Sequence, residues 1–290
     1  MFKFLKTLAA LAAMLIPLAL AGQAAATPTR FTVEVRGKGP DVVLIPGLAS
    51  SRAVWDDTAK RLEGRYRLHI IQVNGFAGQT PGPNASGPVV APLIEEIDAY
   101  IRDQKLDHPA VIGHSMGGYS ALALAAAHPG DVGKVMVVDA LPFFSVLFGP
   151  GVTVAQVEPQ ATAFKAQMLA MSKAQFDAGQ PQVMARLAKT PAAQALAAQW
   201  AIASDRQVMA QATYDIMTSD LRPQLAAITV PVTVVYARDP VMGEGRVDAL
   251  YKENYAALPG VKLQAIDGGF HFIMLDQPDA FAAAVEAFLK

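Results

Sequence analysis

Residues 109–119 read PAVIGHSMGGY. Ala110, Val111 and Ile112 are a short continuous apolar run, the pattern of a strand buried on both faces. Gly113-His114-Ser115-Met116-Gly117 follows, and an Ala- and Leu-rich stretch from 117 to about 128 has the composition of a helix. The G-x-S-x-G spacing has a steric meaning. A serine on a very tight strand-to-helix turn sits in a strained backbone conformation, and neighbours without Cβ let strand and helix approach closely. Such a turn lifts the hydroxyl clear of the sheet, beside the positive end of the helix. An idle serine on a glycine-rich turn would show the same five residues, so the rest of the chain has to decide.

On the N-terminal side, residues 30–36 (RFTVEVR) alternate and read as a half-exposed first strand. Residues 41–45 (DVVLI) read as a buried strand that ends in the loop Pro46-Gly47-Leu48-Ala49-Ser50-Ser51. A helix over about 53–62, a strand over 66–73, a Gly/Pro/Asn-rich loop over 74–88 and a helix over 89–104 complete that side. On the C-terminal side, 134–138 (KVMVV) is a further buried strand, ended by Asp139. The alternation then stops. Residues 141–227 hold no strand pattern. An aromatic loop at 141–151 is followed by helical patterns over 158–178, 181–189, 191–204 and 205–219, with prolines 159, 181 and 191 near helix starts. Strands return at 230–236 and 262–266, with helices over about 245–257 and 278–289. Strand–helix alternation predicts a parallel sheet covered on both faces, with ligands bound beyond the carboxyl ends of the strands. The Pro46 loop, Ser115 and Asp139 all fall at that edge.

Composition narrows the function. The 290 residues are 52% hydrophobic with a formal charge of −1. That suits one large globular core and provides no electrostatic case for nucleic acid or an anionic membrane surface. Cysteine is absent, which excludes a disulfide framework, a thiolate nucleophile and a cysteine metal site. The histidines at 69, 108, 114, 128 and 271 show no H-x-x-x-H spacing, so no metal is expected. Lys3 and Lys6, an apolar run over 8–21 and Ala24-Ala25-Ala26 have the three-part form of a secretory signal peptide. The expectation is cleavage after Ala26, a bacterial periplasmic or secreted location, and no stable membrane insertion afterwards. The alternative is an uncleaved N-terminal anchor.

A serine hydroxyl is a weak nucleophile. It needs a base, the base needs an acceptor, and the oxyanion formed needs N–H donors. The chain offers Ser115, Asp239 and His271 in that order, on loops after strands. With the elbow and the strand pattern, this strongly resembles the α/β-hydrolase family over essentially the whole chain past residue 26. The resemblance implies a three-layer α/β/α sandwich with a mostly parallel eight-stranded sheet (core 27–140 and 228–290) and an inserted helical cap (141–227). It also implies Ser115 as nucleophile, His271 in GGFHFIMLDQP as general base, Asp239 as acid, and an oxyanion hole from the Leu48 and Met116 amides. Asp139 is the alternative acid, because some members take it from that strand end. His114 is implied to be a structural neighbour that points away from the serine. The chain departs from the family in having Pro46-Gly47 where His-Gly is common, and Asn74-Gly75-Phe76-Ala77 where an Asp-x-x-Gly-x-Gly stretch is usual.

The chemistry expected is hydrolysis of a small to medium hydrophobic ester through an acyl-enzyme, with no cofactor. Phe143, Phe144, Phe148 and Phe270 are the candidate pocket residues. The cap methionines read mostly as cap core, with two or three of them against substrate. Lactone, amide or peptide cleavage, and acyl transfer or perhydrolysis, would use the same site. The alternative of another class is a hydrolase-shaped binding protein without turnover.

Overall fold

The computed structural model describes residues 27–243 and 245–290. Residues 1–26, where a signal peptide is expected, therefore lie outside the described residues.

Among the described residues seven strands form one sheet: β1 (Phe31–Gly37), β2 (Asp41–Ile45), β3 (Arg67–Val73), β4 (Ala110–His114), β5 (Lys134–Val138), β6 (Val232–Arg238) and β7 (Lys262–Asp267). Their spatial order is β1-β3-β2-β4-β5-β6-β7. Only β1 runs antiparallel, and it pairs with β3 from Phe31–Val73 to Gly37–Arg67. The central strands β2, β4 and β5 are buried along nearly their whole length, which is why they read as unbroken apolar runs. The strand patterns taken one by one give seven. The eighth came from the family resemblance, and the described residues do not contain it. Just ahead of β1, Thr29 N and Arg30 N donate to the Glu96 carboxylate at 2.8 and 2.7 Å.

The helices are α1 (Asp56–Leu62), α2 (Val90–Asp103), α3 (Met116–Ala127), α4 (Val154–Ala170), α5 (Lys173–Met184), α6 (Pro191–Ala203), α7 (Arg206–Thr218), α8 (Arg246–Asn254), α9 (Ile273–Asp276) and α10 (Pro278–Leu289). Helix α3 is buried over its first ten residues, from Met116 to Ala125. That explains its lack of a polar face. Among the described residues no helix is long and apolar enough to cross a membrane.

Helices α4–α7 lie between β5 and β6 in the chain. Helix α4 packs on α7, α5 on α6, and α7 also on α2. Helices α4 and α5 begin where side-chain caps place them, not at a proline. Thr153 with Gln156, and Ser172 with Gln175, form capping boxes, and the chain breaks at Met171. Pro159 and Pro181 lie inside helices, and only Pro191 opens one. The Asp215 carboxylate on α7 accepts from Val89 N and Val90 N at 2.7 and 3.0 Å. A side chain of the insertion thus satisfies free N–H groups at the start of a core helix.

Candidate active site

Ser115 sits between β4 and α3 at φ 54°, ψ −120°, a conformation L-residues rarely adopt. Two glycines make the turn possible. A Cβ on Gly113 would lie 2.0 Å from the Gly117 carbonyl oxygen, and one on Gly117 would lie 2.3 Å from that of Ile45. The serine's N–H donates to Val138 O at 2.9 Å, so the turn is still held by the neighbouring strand. Its hydroxyl has no hydrogen-bond partner among the described residues and faces a cavity of about 640 Å3.

His271 follows β7 and opens on the same cavity. Its Nδ1–H donates to Asp139 Oδ2 at 2.7 Å. This leaves Nε2 as the basic nitrogen. Asp139 is itself held on its second oxygen, which accepts from Ala237 N at 2.9 Å and from the Tyr251 hydroxyl at 3.0 Å. Burial, and then the negative charge of Asp139, push the Tyr251 hydroxyl well above its ordinary pKa. Tyr251 therefore stays a proton donor to the carboxylate.

The carboxylate on His271 is thus Asp139 and not Asp239. Strand β6 stays paired with β7 through Arg238–Asp267, which carries Asp239 past the strand end and toward the cap. Its Oδ2 accepts from Lys189 Nζ at 2.5 Å and its Oδ1 from Val241 N at 3.1 Å. Lys189, and then the Val241 N–H, hold the Asp239 carboxyl below its ordinary pKa. Asp139 directly follows β5, the strand beside β4, and turns at φ 47°.

His114 is a structural neighbour of the histidine at the site. Its Nε2–H donates to the His271 carbonyl at 2.9 Å, and the two rings lie 4.6 Å apart. Full burial, followed by the nearness of His271, lowers its pKa well below the ordinary value of 6.5. A second support is Asp276, whose carboxylate accepts from Lys189 N, Thr190 N and Phe270 N at 2.9, 3.2 and 3.0 Å. Phe272 N donates to Leu187 O at 3.1 Å. The loop carrying His271 is therefore bonded to the chain between α5 and α6. The tail LDQP hinted at Asp276, but nothing in the sequence marks Tyr251.

Leu48 and Met116 line the cavity beside Ser115. The Met116 N–H opens α3, where backbone donors lack helical acceptors. Of the four phenylalanines singled out, only Phe144 lines the cavity. Phe143 is fully buried beneath the Arg222 guanidinium, 4.8 Å from its ring. Phe148 stands outside, edge-on to Phe144 at 6.0 Å. The Phe270 ring faces Lys189 Nζ at 5.8 Å. The methionines are more involved than the sequence suggests. Met168, Met171, Met184 and Met209 all reach the cavity, because α4, α5 and α7 turn their apolar sides onto it. Away from the cavity, Asp98, His128 and Asp131 bring one ligand atom each within 4.8 Å of one another. There Arg102 Nη2 already lies 2.8 Å from Asp98 Oδ2, so the chain supplies its own cation.

The model of the alpha/beta hydrolase family matches residues 42–284. The chain belongs to the alpha/beta hydrolase family. This hydrolase is similar to the pimeloyl-[acyl-carrier protein] methyl ester esterase of Aeromonas hydrophila, at 28% identity over 275 residues, covering 89% of this chain and 98% of the relative. The enzyme of the same name from Nitrosomonas europaea is 24% identical over 280 residues, covering 88% and 98%. Among solved structures, the enol-lactonase from Burkholderia xenovorans LB400 superposes with a TM-score of 0.73 at 19% identity, covering 89% of this chain and 96% of that one. A thermophilic esterase from Thermogutta terrifontis gives 0.72 at 17%, covering 89% and 92%. At those identities the structures speak for the fold alone.

Proposed function

We propose that this chain is an exported serine hydrolase that cleaves a carboxylic ester with an apolar acyl group. The observation that carries the reading is the convergence of Ser115, on its strained turn, and His271, seated on Asp139, upon one apolar cavity. Ser115 Oγ attacks the acyl carbon while His271 Nε2 takes its proton. Asp139 holds the imidazole in the Nδ1–H tautomer and stabilises the imidazolium. The Leu48 and Met116 amides receive the oxyanion. The imidazolium then protonates the leaving alcohol, the histidine activates water, and the acyl-enzyme is hydrolysed. The relatives that span nearly the same length are named as methyl ester esterases, which supports an ester over an amide. The signal-like segment at residues 1–26 supports export. A binding protein without turnover is disfavoured by the intact Ser, His and Asp.

Fluorophosphonate labelling beside hydrolysis of p-nitrophenyl esters tests the reading. Labelling is expected on Ser115 in the unsubstituted protein and is lost in Ser115→Ala and His271→Ala. Turnover falls in either variant by on the order of 10⁶, as for serine proteases. Folded protein that is neither labelled nor active would overturn the proposal.

A further inference from the structure

We infer that the acyl group is a long, unbranched, uncharged chain whose far end lies on an apolar collar around the cavity mouth. The inference rests on the ester-hydrolase reading and sets its substrate class, above the small to medium size expected from sequence. Eight large hydrophobic side chains are exposed among the described residues, and five of them gather here. Phe144, Leu147, Phe164 and Val183 line the cavity yet are 36, 54, 44 and 46% exposed. A residue that does both stands at the opening. Phe148, 48% exposed, extends the collar from its edge-on contact with Phe144. The residues come from three separate segments: the 144–148 turn, α4 and α5.

Exposed aromatic and aliphatic groups gathered at one place mark a contact surface. Here the surface is continuous with the cavity that holds Ser115, so the occupant that reaches both is the substrate's own chain. Inside, Met168, Met171, Met184 and Met209 form a soft wall that adapts to a flexible chain. Among the described residues no lysine or arginine lines the cavity. A carboxylate at the chain's far end would lose its water and meet no counter-charge.

The test is kcat/KM for p-nitrophenyl esters of four, eight and twelve carbons at monomeric concentrations, with an eight-carbon ester carrying a terminal carboxylate. The proteins are the unsubstituted enzyme, Val183→Ser, and the double variant Leu147→Ser with Phe148→Ser. Specificity is expected to rise with length by up to about fourfold per methylene. The terminal carboxylate lowers it about a hundredfold. The collar variants lower the twelve-to-four-carbon ratio at least about fivefold. An optimum at four carbons, or a ratio unchanged in both collar variants, overturns the inference and leaves the ester-hydrolase reading standing. If no ester is turned over, that reading fails instead, and calorimetric binding of dodecanamide decides the inference. Binding weakened by the collar substitutions supports it, and no binding overturns it.

Discussion

Two aspartates compete for one histidine, and the outcome is decided by where their strands stop. Asp139 reaches His271 at 2.7 Å, while Asp239 is turned toward Lys189. Asp139→Asn is therefore expected to lower kcat on p-nitrophenyl esters by about 10⁴, the size of the corresponding change in serine proteases. Asp239→Asn leaves kcat near that of the unsubstituted enzyme. The reverse result would return the acid role to Asp239. His114 supplies a second residue-scale prediction. Its pKa is depressed in the fold, so below about pH 6.5 only the unfolded chain takes up its proton. That proton favours unfolding, and stability falls on acidification by up to about 1.4 kcal/mol per pH unit from this group. Urea unfolding between pH 7 and 5 should show a shallower loss in His114→Gln. His69, whose pKa burial also lowers, contributes to both curves alike. Equal slopes in the two proteins would refute the assignment.

At the scale of elements, the loop between β7 and α9 and the chain between α5 and α6 act as one unit. Asp276 holds them together through three backbone N–H groups. Asp276→Ala leaves those donors without their charged acceptor and is expected to cost about 2 kcal/mol of stability. It should also lower kcat, because the backbone that aims His271 is loosened. Thermal unfolding read beside kcat checks both, and a stability loss with kcat unchanged would show that the cap does not position the histidine. The elements themselves were largely legible. Buried strands announce themselves as unbroken apolar runs, and the elbow by its two glycines. Helices α4 and α5 start earlier than their prolines suggest, because the side-chain caps of Thr153-x-x-Gln156 and Ser172-x-x-Gln175 stop and restart a helix as firmly.

At the scale of the whole molecule, the proposal of export makes a plain prediction. Protein recovered from the periplasm or medium of an exporting host should have an intact mass that lacks residues 1–26. A mass that retains them would refute cleavage after Ala26. The cap and core are joined at several distant points: Asp215 on the start of α2, Ser204 Oγ on Ala77 N at 2.8 Å, and Lys189 on Asp239. These contacts link residues far apart in the chain, and no local pattern foretells them.

The sequence by itself determined the family, the strand–helix alternation, the turn that strains Ser115 and the place of His271. Each follows from local sterics, from the period of apolar residues, or from a motif within a few positions. Only the tertiary structure decided which aspartate the histidine meets, that His114 holds its carbonyl, and that four cap methionines face the cavity. Those outcomes depend on how far each strand runs before it turns and on how α4–α7 lean over the sheet edge. Both are set by packing between segments distant in the chain, 50 residues for Lys189 and Asp239 and 132 for Asp139 and His271, where side-chain identity alone does not specify direction.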